Sequence, residues 1–227
     1  MTTAAAPRRT GRGRGHGRGR ALVLIAVAVL GVVALAAGIA LLALRPSPGN
    51  VAGVDLQGNS VIADPDSQLT DAQKNAQRVE ATGGRFAVPS VGLDVPLLAM
   101  NAVDGIVAPA GYTDAYLVRN LGVAPADAAT GTVYAAMHSL RNGGVGPGNY
   151  LIDVAKGQAK VADGAEIDID GVAYRVTGSR AVPKTALPTD ASIWRAEPGT
   201  LVVFTCLQVP EGTASVDNIV ITATLAP

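Results

Sequence analysis

The chain has 227 residues, 48% of them hydrophobic and only 4% aromatic, and its 18 basic and 18 acidic side chains cancel to a formal charge of zero. The charge is unevenly distributed along the chain. Seven basic residues lie within the first 45 positions, which leaves 11 basic and 18 acidic residues beyond them. A globular part with that acidic balance disfavours a nucleic-acid partner. The length bounds this part to one domain.

The N-terminal segment predicts a membrane anchor. Residues 1–20 form a basic tail with six arginines and no acidic residue, and residues 21–44, ALVLIAVAVLGVVALAAGIALLAL, carry no charge. A helix of 24 residues is about 36 Å long, which is enough to span a hydrocarbon core of about 30 Å. The arginines before this span, against Arg45 alone after it, predict a cytoplasmic N-terminus and an extracellular C-terminal part of a single-pass protein.

Two other interpretations of this segment remain open. Small residues at 35–40 are also compatible with a cleaved signal peptide, although its apolar region is usually only about 7–15 residues long. The Arg/Gly tail is also compatible with nucleic-acid binding, but the adjoining apolar span favours a topology signal.

Beyond the span, the pattern predicts a stalk over residues 45–82, with a short helix at 70–80, and a β-rich domain over 83–227. The stalk is rich in Pro, Gly, Asp, Gln and Asn. A hairpin is expected around the Asp170–Gly171 pair, and the segment 149–157 is expected to be a short helix or turn. The predicted strands cover 85–89, 91–99, 105–108, 131–138, 166–170, 172–178, 200–206 and 217–224. Eight short strands indicate a closed barrel or a sandwich.

Cys206 is the only cysteine of the chain, at the end of the apolar run LVVFTC. In an oxidising exterior compartment cysteines usually pair, and this one has no partner within the chain. It is therefore a buried free thiol, half of an intermolecular disulfide, or a nucleophile, which requires a histidine near it in the fold. His138 is the only histidine outside the basic tail, and it too follows an apolar run, at 133–137. The matching positions favour a Cys–His pair.

Several segments resemble the sortases, the cysteine-dependent surface transpeptidases, and most of all their actinobacterial branches. RFAVPSVGLDVPLLAM is similar to the opening strands of that family, and DGIVAPAG to the hairpin that follows them. GTVYAAMHS matches the strand with the catalytic histidine, YRVTGSRAVPKTALP the strand and loop before the active site, and LVVFTC the strand with the cysteine. The resemblance runs from about Arg85 to Thr224. It implies a closed eight-stranded β-barrel with short helices behind one transmembrane helix.

The resemblance also implies an activity and its partners. Cys206 would attack the Thr–Gly carbonyl of an LPxTG- or LAxTG-like sorting signal on a secreted protein, and the thioacyl intermediate would pass to a cell-wall or pilin amine. His138 would protonate the leaving amine and later deprotonate the incoming one. By the same analogy Thr205 would help to position the substrate.

One position departs from the family pattern. Sortases carry an arginine on the strand after the cysteine, and the position aligned with it here is Val216. Removing an oxyanion donor typically costs about 10²–10³ in rate. Four side chains are candidates to replace this arginine, Arg141, Arg195, Gln208 and Asn218, and backbone N–H groups are a further alternative. Two alternatives remain: a degenerate, non-catalytic homologue that binds sorting-signal peptides or scaffolds a surface assembly, and an unrelated anchored β-domain with a structural cysteine.

No cofactor is expected. The sequence has no phosphate loop, no dinucleotide fingerprint, no Cys/His zinc spacing and no calcium loop of EF-hand spacing. The chemistry predicted from the sequence therefore needs neither a metal nor an organic group.

Overall fold

The computed structural model describes residues 51–62 and 69–227. The predicted basic tail and the predicted span at 21–44 lie outside these residues. Within the described ranges, no helix is long and apolar enough to cross a membrane.

The described chain is mostly β. Its strands are β1 (Val51–Val54), β2 (Ser60–Ile62), β3 (Glu80–Val88), β4 (Leu93–Met100), β5 (Ala115–Val118), β6 (Thr132–Ala136), β7 (Ile152–Asp153), β8 (Gln158–Ala159), β9 (Glu166–Ile169), β10 (Val172–Pro183), β11 (Thr200–Leu207) and β12 (Asp217–Leu225). Eight of them close into a barrel in the order β10-β12-β11-β6-β5-β4-β3-β9, while β1-β2 and β7-β8 form separate two-stranded sheets. The pairs β4-β5 and β6-β11 are parallel and the other barrel pairs are antiparallel. The predicted closed eight-stranded barrel is confirmed.

The helices are short. Helix α1 (Asp71–Ala76) lies inside the segment predicted to be helical, and it begins with a capping box between Thr70 and Gln73. The Thr70 hydroxyl accepts from the Gln73 amide at 3.3 Å, and the Gln73 side chain accepts from the Thr70 amide at 3.0 Å. Short 3₁₀ helices of three to six residues occur at Pro89–Val91, Pro125–Thr130, Pro147–Tyr150 and Leu187–Thr189.

The hairpin between β9 and β10 has the predicted turn. Ile169 pairs with Val172, so the loop consists of Asp170 and Gly171 alone. Both have positive φ, 57° and 77°. That conformation matches the right-handed twist of the flanking strands and is accessible to an Asp-Gly pair.

One barrel strand differs from the prediction. The segment 105–108 is not a strand, because Asp104 and Gly105 turn the chain and leave only an isolated bridge from Val103 to Ile106. The eighth barrel strand is β5, whose four residues are all buried. A fully buried strand lacks the polar–apolar alternation by which strands are recognised.

Apolar side chains pack on both faces of the barrel wall near β6 and β11. The odd-numbered residues Val133, Ala135, Leu201 and Val203 belong to the interior core. Their even-numbered neighbours Tyr134, Ala136, Val202 and Phe204 belong to a second cluster, here called the outer cluster. The outer cluster also contains Met100, Ala102, Tyr116, Val118, Val182, Ile193 and Val220. Residues of one strand alternate between the two faces.

The segment 184–199 covers part of this outer cluster. The Trp194 ring lies 5.6 Å from that of Phe204, edge to face, and 5.4 Å from that of Tyr134. Its indole N–H donates to the Leu187 carbonyl at 2.6 Å, and the Tyr134 hydroxyl donates to the Ile193 carbonyl at 3.0 Å. This segment therefore packs against the outer cluster through aromatic contacts and two hydrogen bonds.

Candidate active site

Cys206 and His138 are neighbours across two parallel strands. Strands β6 and β11 run in register from Thr200 beside Thr132 to Phe204 beside Ala136. The Met137 amide extends the ladder by donating to the Phe204 carbonyl at 3.3 Å. Two residues further, the same register places Cys206 beside His138. Since Ala136 and Phe204 belong to the outer cluster, alternation places both side chains on the outer face, and both are half-buried.

The imidazole of His138 is held by a loop between β4 and β5. Its Nε2 lies 2.9 Å from the Pro109 carbonyl oxygen, and its ring lies 4.9 Å from that of Tyr112 at an interplanar angle of 32°. A carbonyl oxygen only accepts, so Nε2 carries the hydrogen in this contact. In the neutral ring the lone pair is then on Nδ1, which makes Nδ1 the basic nitrogen.

The environment lowers the pKa of His138. Burial of the ring is the main cause, because it disfavours the charged form. The hydrogen bond to the Pro109 carbonyl raises the pKa, and the positive charge of Lys184 lowers it further. The net result is an imidazole that remains neutral to a lower pH than an exposed one.

Ser139 and Gln208 link the ends of β6 and β11 through hydrogen bonds. The Ser139 hydroxyl donates to the Cys206 carbonyl at 2.5 Å. The Gln208 amide nitrogen donates to the Ser139 carbonyl at 2.9 Å and to its hydroxyl at 3.0 Å. Gln208, one of the four candidates for a substrate contact, is thus buried and engaged in this link.

The loop after His138 is organised by Asn149. Its side-chain oxygen accepts from the Leu140 and Gly146 amides at 2.7 and 2.8 Å, and its amide nitrogen donates to the Leu140 carbonyl at 2.8 Å. The Gly148 amide donates to the His138 carbonyl at 2.8 Å. These bonds fix the backbone on both sides of the imidazole.

Thr205 lies on the interior face of β11, between Val203 and Leu207 of the interior core. It is 4% exposed, and its hydroxyl has no hydrogen-bond partner among the described residues. A Cβ on Gly148 would lie 2.0 Å from that hydroxyl oxygen. Thr205 therefore packs beneath the loop after His138, and the side chain of Cys206 points the opposite way.

Asn218 stands directly opposite Cys206. In the antiparallel pair of β11 and β12, Cys206 pairs with Asn218 and Leu207 with Asp217. Val216 lies one position before β12, is 68% exposed, and accepts through its carbonyl from the Lys184 amide at 2.9 Å. Of the four candidates, Asn218 is the one that the register brings next to the thiol.

The two candidate arginines line two different cavities. Arg141, with Gln208 and Glu211, lines a cavity of about 400 Å³ beside the loop after His138. Arg195 is exposed, pairs with Glu197 at 2.9 Å and lines a smaller cleft of about 130 Å³ on the outer face. Neither stands in register with Cys206.

Several residues of the site were not found from the sequence. Pro109 and Tyr112 lie in a loop, where no periodic pattern indicates what they contact. Gly53, from the segment predicted to be a stalk, lies against Tyr112, since a Cβ at that glycine would be 3.0 Å from the Tyr112 ring. Within the described ranges, no group of three or more His, Cys, Asp or Glu residues is placed to hold a metal ion.

No protein-family model matches the sequence, and no curated protein matches it. Among solved structures, the chain is similar to sortase A from Listeria monocytogenes, with 20% identity and a TM-score of 0.45 over 65% of this chain and 89% of that one. The lid mutant of sortase A from Corynebacterium diphtheriae has 15% identity and a TM-score of 0.47, over 68% of this chain and 76% of that one. Sortase C-1 from Actinomyces oris has 13% identity and a TM-score of 0.47, over 74% of this chain and 90% of that one. All three are sortases, of the A or the C type.

Proposed function

We propose that this protein is a sortase-type cysteine transpeptidase in which Cys206 is the nucleophile and His138 the acid–base. The observation that supports the proposal is the parallel register of β6 and β11, which, continued by two residues, brings these two side chains next to each other on the outer face. An unpaired cysteine beside a half-buried histidine is the pairing that thiol acyl transfer requires.

The reaction begins with the thiol. The lone pair on Nδ1 of His138 takes the thiol proton, and the thiolate attacks the Thr–Gly carbonyl carbon of an LPxTG- or LAxTG-like sorting signal. The carbonyl π electrons move to oxygen and form a tetrahedral intermediate. As it collapses, the C–N bond breaks and the glycine amine leaves with the proton from the imidazolium, so that a thioester remains on Cys206.

The second half-reaction reverses these roles. An incoming amine from the cell wall or from a pilin gives a proton to His138 as its nitrogen attacks the thioester carbon. The thiolate leaves and recovers that proton. The lowered pKa of His138 suits both halves, because the ring is neutral when it must accept and becomes a strong acid once charged.

The partners and location follow from this proposal and from the predicted anchor. The donors are secreted proteins with a C-terminal sorting signal, and the domain works on the outer side of the cell membrane. The net charge of the residues after Arg45 gives no support for a nucleic-acid partner.

A non-catalytic peptide-binding or scaffolding homologue is the second candidate. It is favoured by Val216, which is exposed and offers neither charge nor a side-chain hydrogen bond where the family pattern has an arginine. Such a protein would bind the sorting-signal peptide without forming a covalent adduct.

Intact-protein and peptide mass spectrometry tests the two functions. The full chain, purified in detergent, is incubated with LPxTG and LAxTG peptides, with and without a glycine-based amine. We expect an acyl adduct on Cys206 and cleavage between Thr and Gly, both lost in Cys206→Ala and His138→Ala. Peptide binding that is equal in the unmodified chain and in Cys206→Ala, with no adduct in either, would favour the binding homologue.

A further inference from the structure

The acyl-transfer step creates a negative charge, and strand β12, which lies opposite Cys206, carries no lysine or arginine to oppose it. Attack of the thiolate places a full charge on the former carbonyl oxygen, and donors aimed at that oxygen are usually the largest single source of rate enhancement. Asn218, opposite Cys206, offers an amide, and Val216 offers nothing. A cation at this position would therefore have a clear effect on rate.

Lys184 reaches the same outer face from the next strand. β10 pairs with β12 so that Val182 lies beside Asn218 and Pro183 beside Asp217. The bond from the Lys184 amide to the Val216 carbonyl, 2.9 Å long, continues this register by one residue. Val182 belongs to the outer cluster, so alternation places the Lys184 side chain on the face that carries Cys206 and His138.

The separation fits a lysine side chain. Lys184 is two strands from Cys206, which is about 10 Å across the sheet, and two residues along it, which is about 7 Å. A flexible four-carbon stem extends from Lys184 across that gap, and a substrate carbonyl bonded to the thiol fills the remainder. Val216, which lies between them, has a short side chain that does not block the path.

The ammonium of Lys184 is also available. The side chain is exposed, and the described residues give it no ion pair and no hydrogen bond. In contrast, Arg180 on the same strand is engaged by Asp190 at 2.8 Å and by the Ser192 hydroxyl at 2.9 Å. Arg195 is paired with Glu197.

The positive charge of Lys184 affects the pKa of His138. It acts on His138 and contributes to the lowered pKa of that imidazole. A positive charge that reaches the imidazole is within range of an oxyanion formed beside it, because His138 and Cys206 are adjacent.

We propose that Lys184 is a catalytic residue of this protein, whose ammonium stabilises the oxyanion of the tetrahedral intermediate on Cys206. The inference rests on the proposed function. In the step concerned, the thiolate–carbon bond forms, the carbonyl π electrons move to oxygen, and the ammonium donates a hydrogen bond to that oxygen without transferring its proton. Collapse returns the electron pair to the carbonyl and expels the glycine amine, which takes its proton from His138.

Steady-state cleavage of the sorting-signal peptide by the full chain tests this assignment. Lys184→Met should lower kcat by about 10²–10³ with little change in KM, because the charge it opposes exists only in the transition state. Lys184→Arg, which keeps the charge, should recover most of the loss. Arg175→Met removes the same charge from the same strand about 30 Å away and should leave kcat unchanged.

A second variant tests whether a cation at a neighbouring position can replace the ammonium of Lys184. Val216→Arg, introduced into Lys184→Met, puts a cation on the same face one strand closer to Cys206, and we expect it to restore part of kcat. Cleavage by Lys184→Met within about twofold of the unmodified chain would overturn the inference and leave the proposed function intact. Absence of cleavage by the unmodified chain would overturn both.

The position of the ammonium is also measurable without turnover. The chain has two histidines, His16 and His138, so an NMR titration of the imidazole C–H signals, assigned with His138→Gln, isolates the reactive ring. Lys184→Met should raise the pKa of His138, whereas Arg175→Met should not. An unchanged His138 titration in Lys184→Met would place the ammonium elsewhere and refute the assignment.

Discussion

The Nε2–H of His138 donates to the carbonyl oxygen of Pro109 across 2.9 Å, and this contact defines the chemistry of the ring. It places the hydrogen of the neutral imidazole on Nε2 and its lone pair on Nδ1. The half-buried ring also lies against Tyr112, with the two ring centres 4.9 Å apart. The loop between β4 and β5 thus selects the basic nitrogen, whereas burial and Lys184 lower the pKa against the opposing effect of the Pro109 carbonyl.

The lowered pKa of His138 predicts a pH dependence of stability with a definite sign. The unfolded chain takes up a proton on this residue near pH 6.5, before the folded chain does, so the free energy of unfolding should fall as the pH drops below about 6.5. Chemical denaturation at pH 7.5 and pH 5.5 measures the difference, and His138→Gln should reduce it. A pH dependence that is unchanged in His138→Gln would contradict the lowered pKa.

The contact of the Tyr112 ring with His138 predicts a second effect on the same imidazole. Tyr112→Ala removes apolar cover from His138, and because burial is the main cause of the lowered pKa, the pKa should rise toward its ordinary value. NMR titration of the His138 C–H signals reports the shift directly. Tyr112→Phe keeps the ring and should titrate like the unmodified chain, so equal titration of the Ala and Phe variants would show that the ring does not set the pKa.

The proposed pair of Cys206 and His138 was chosen from the sequence because each partner stands at the end of an apolar run. His138 and Cys206 follow such runs, and the barrel aligns the two strands in parallel register. Asn218, however, is placed opposite Cys206 by the antiparallel pairing of β11 with β12. That pairing is a tertiary property, and a shift of two residues separates Asn218 from Val216. A single sequence contains no signal that fixes such a register.

The loop contacts were harder still to predict. Pro109 and Tyr112 reach His138 from a turn-rich segment, and Lys184 acts from a strand end two strands away from Cys206. Part of the predicted stalk is a hairpin whose Gly53 packs against Tyr112. Contacts of this kind depend on the path of irregular chain over the barrel surface, which neither periodicity nor propensity encodes.

Substitutions at Gly148 and Thr205 should have different effects on the stability of the fold. Gly148→Ala introduces a Cβ 2.0 Å from the Thr205 hydroxyl oxygen and should destabilise the fold by about 1–3 kcal/mol. Thr205→Val replaces a buried hydroxyl that has no partner among the described residues with a methyl group of similar size, and should leave the fold equally stable or more so. Denaturant unfolding measures both, and a strongly destabilised Thr205→Val would mean that the hydroxyl makes an important bond.

The carboxylate of Asp55 holds the hairpin formed by β1 and β2. It accepts from the Gln57, Asn59 and Val145 amides at 2.9, 2.8 and 3.0 Å, and the bond from Val145 is the largest cause that lowers its pKa to about 2. The Leu56 amide adds a bond to the Val145 carbonyl at 2.9 Å. The hairpin is therefore tied to the loop that follows His138.

Asp55→Asn should loosen this tie, because an amide has one accepting oxygen where the carboxylate has two. We expect faster hydrogen exchange at the Asn59 and Val145 amides and a lower melting temperature at neutral pH. Since the folded pKa lies below the ordinary value, the carboxylate contributes stability above about pH 4 and loses it as the pH falls toward 2. The melting temperatures of the two proteins should therefore converge over that range. Asp163→Asn, in which an exposed carboxylate is changed, is the matched control. Equal exchange rates in Asp55→Asn and this control would show that the carboxylate does not hold the hairpin.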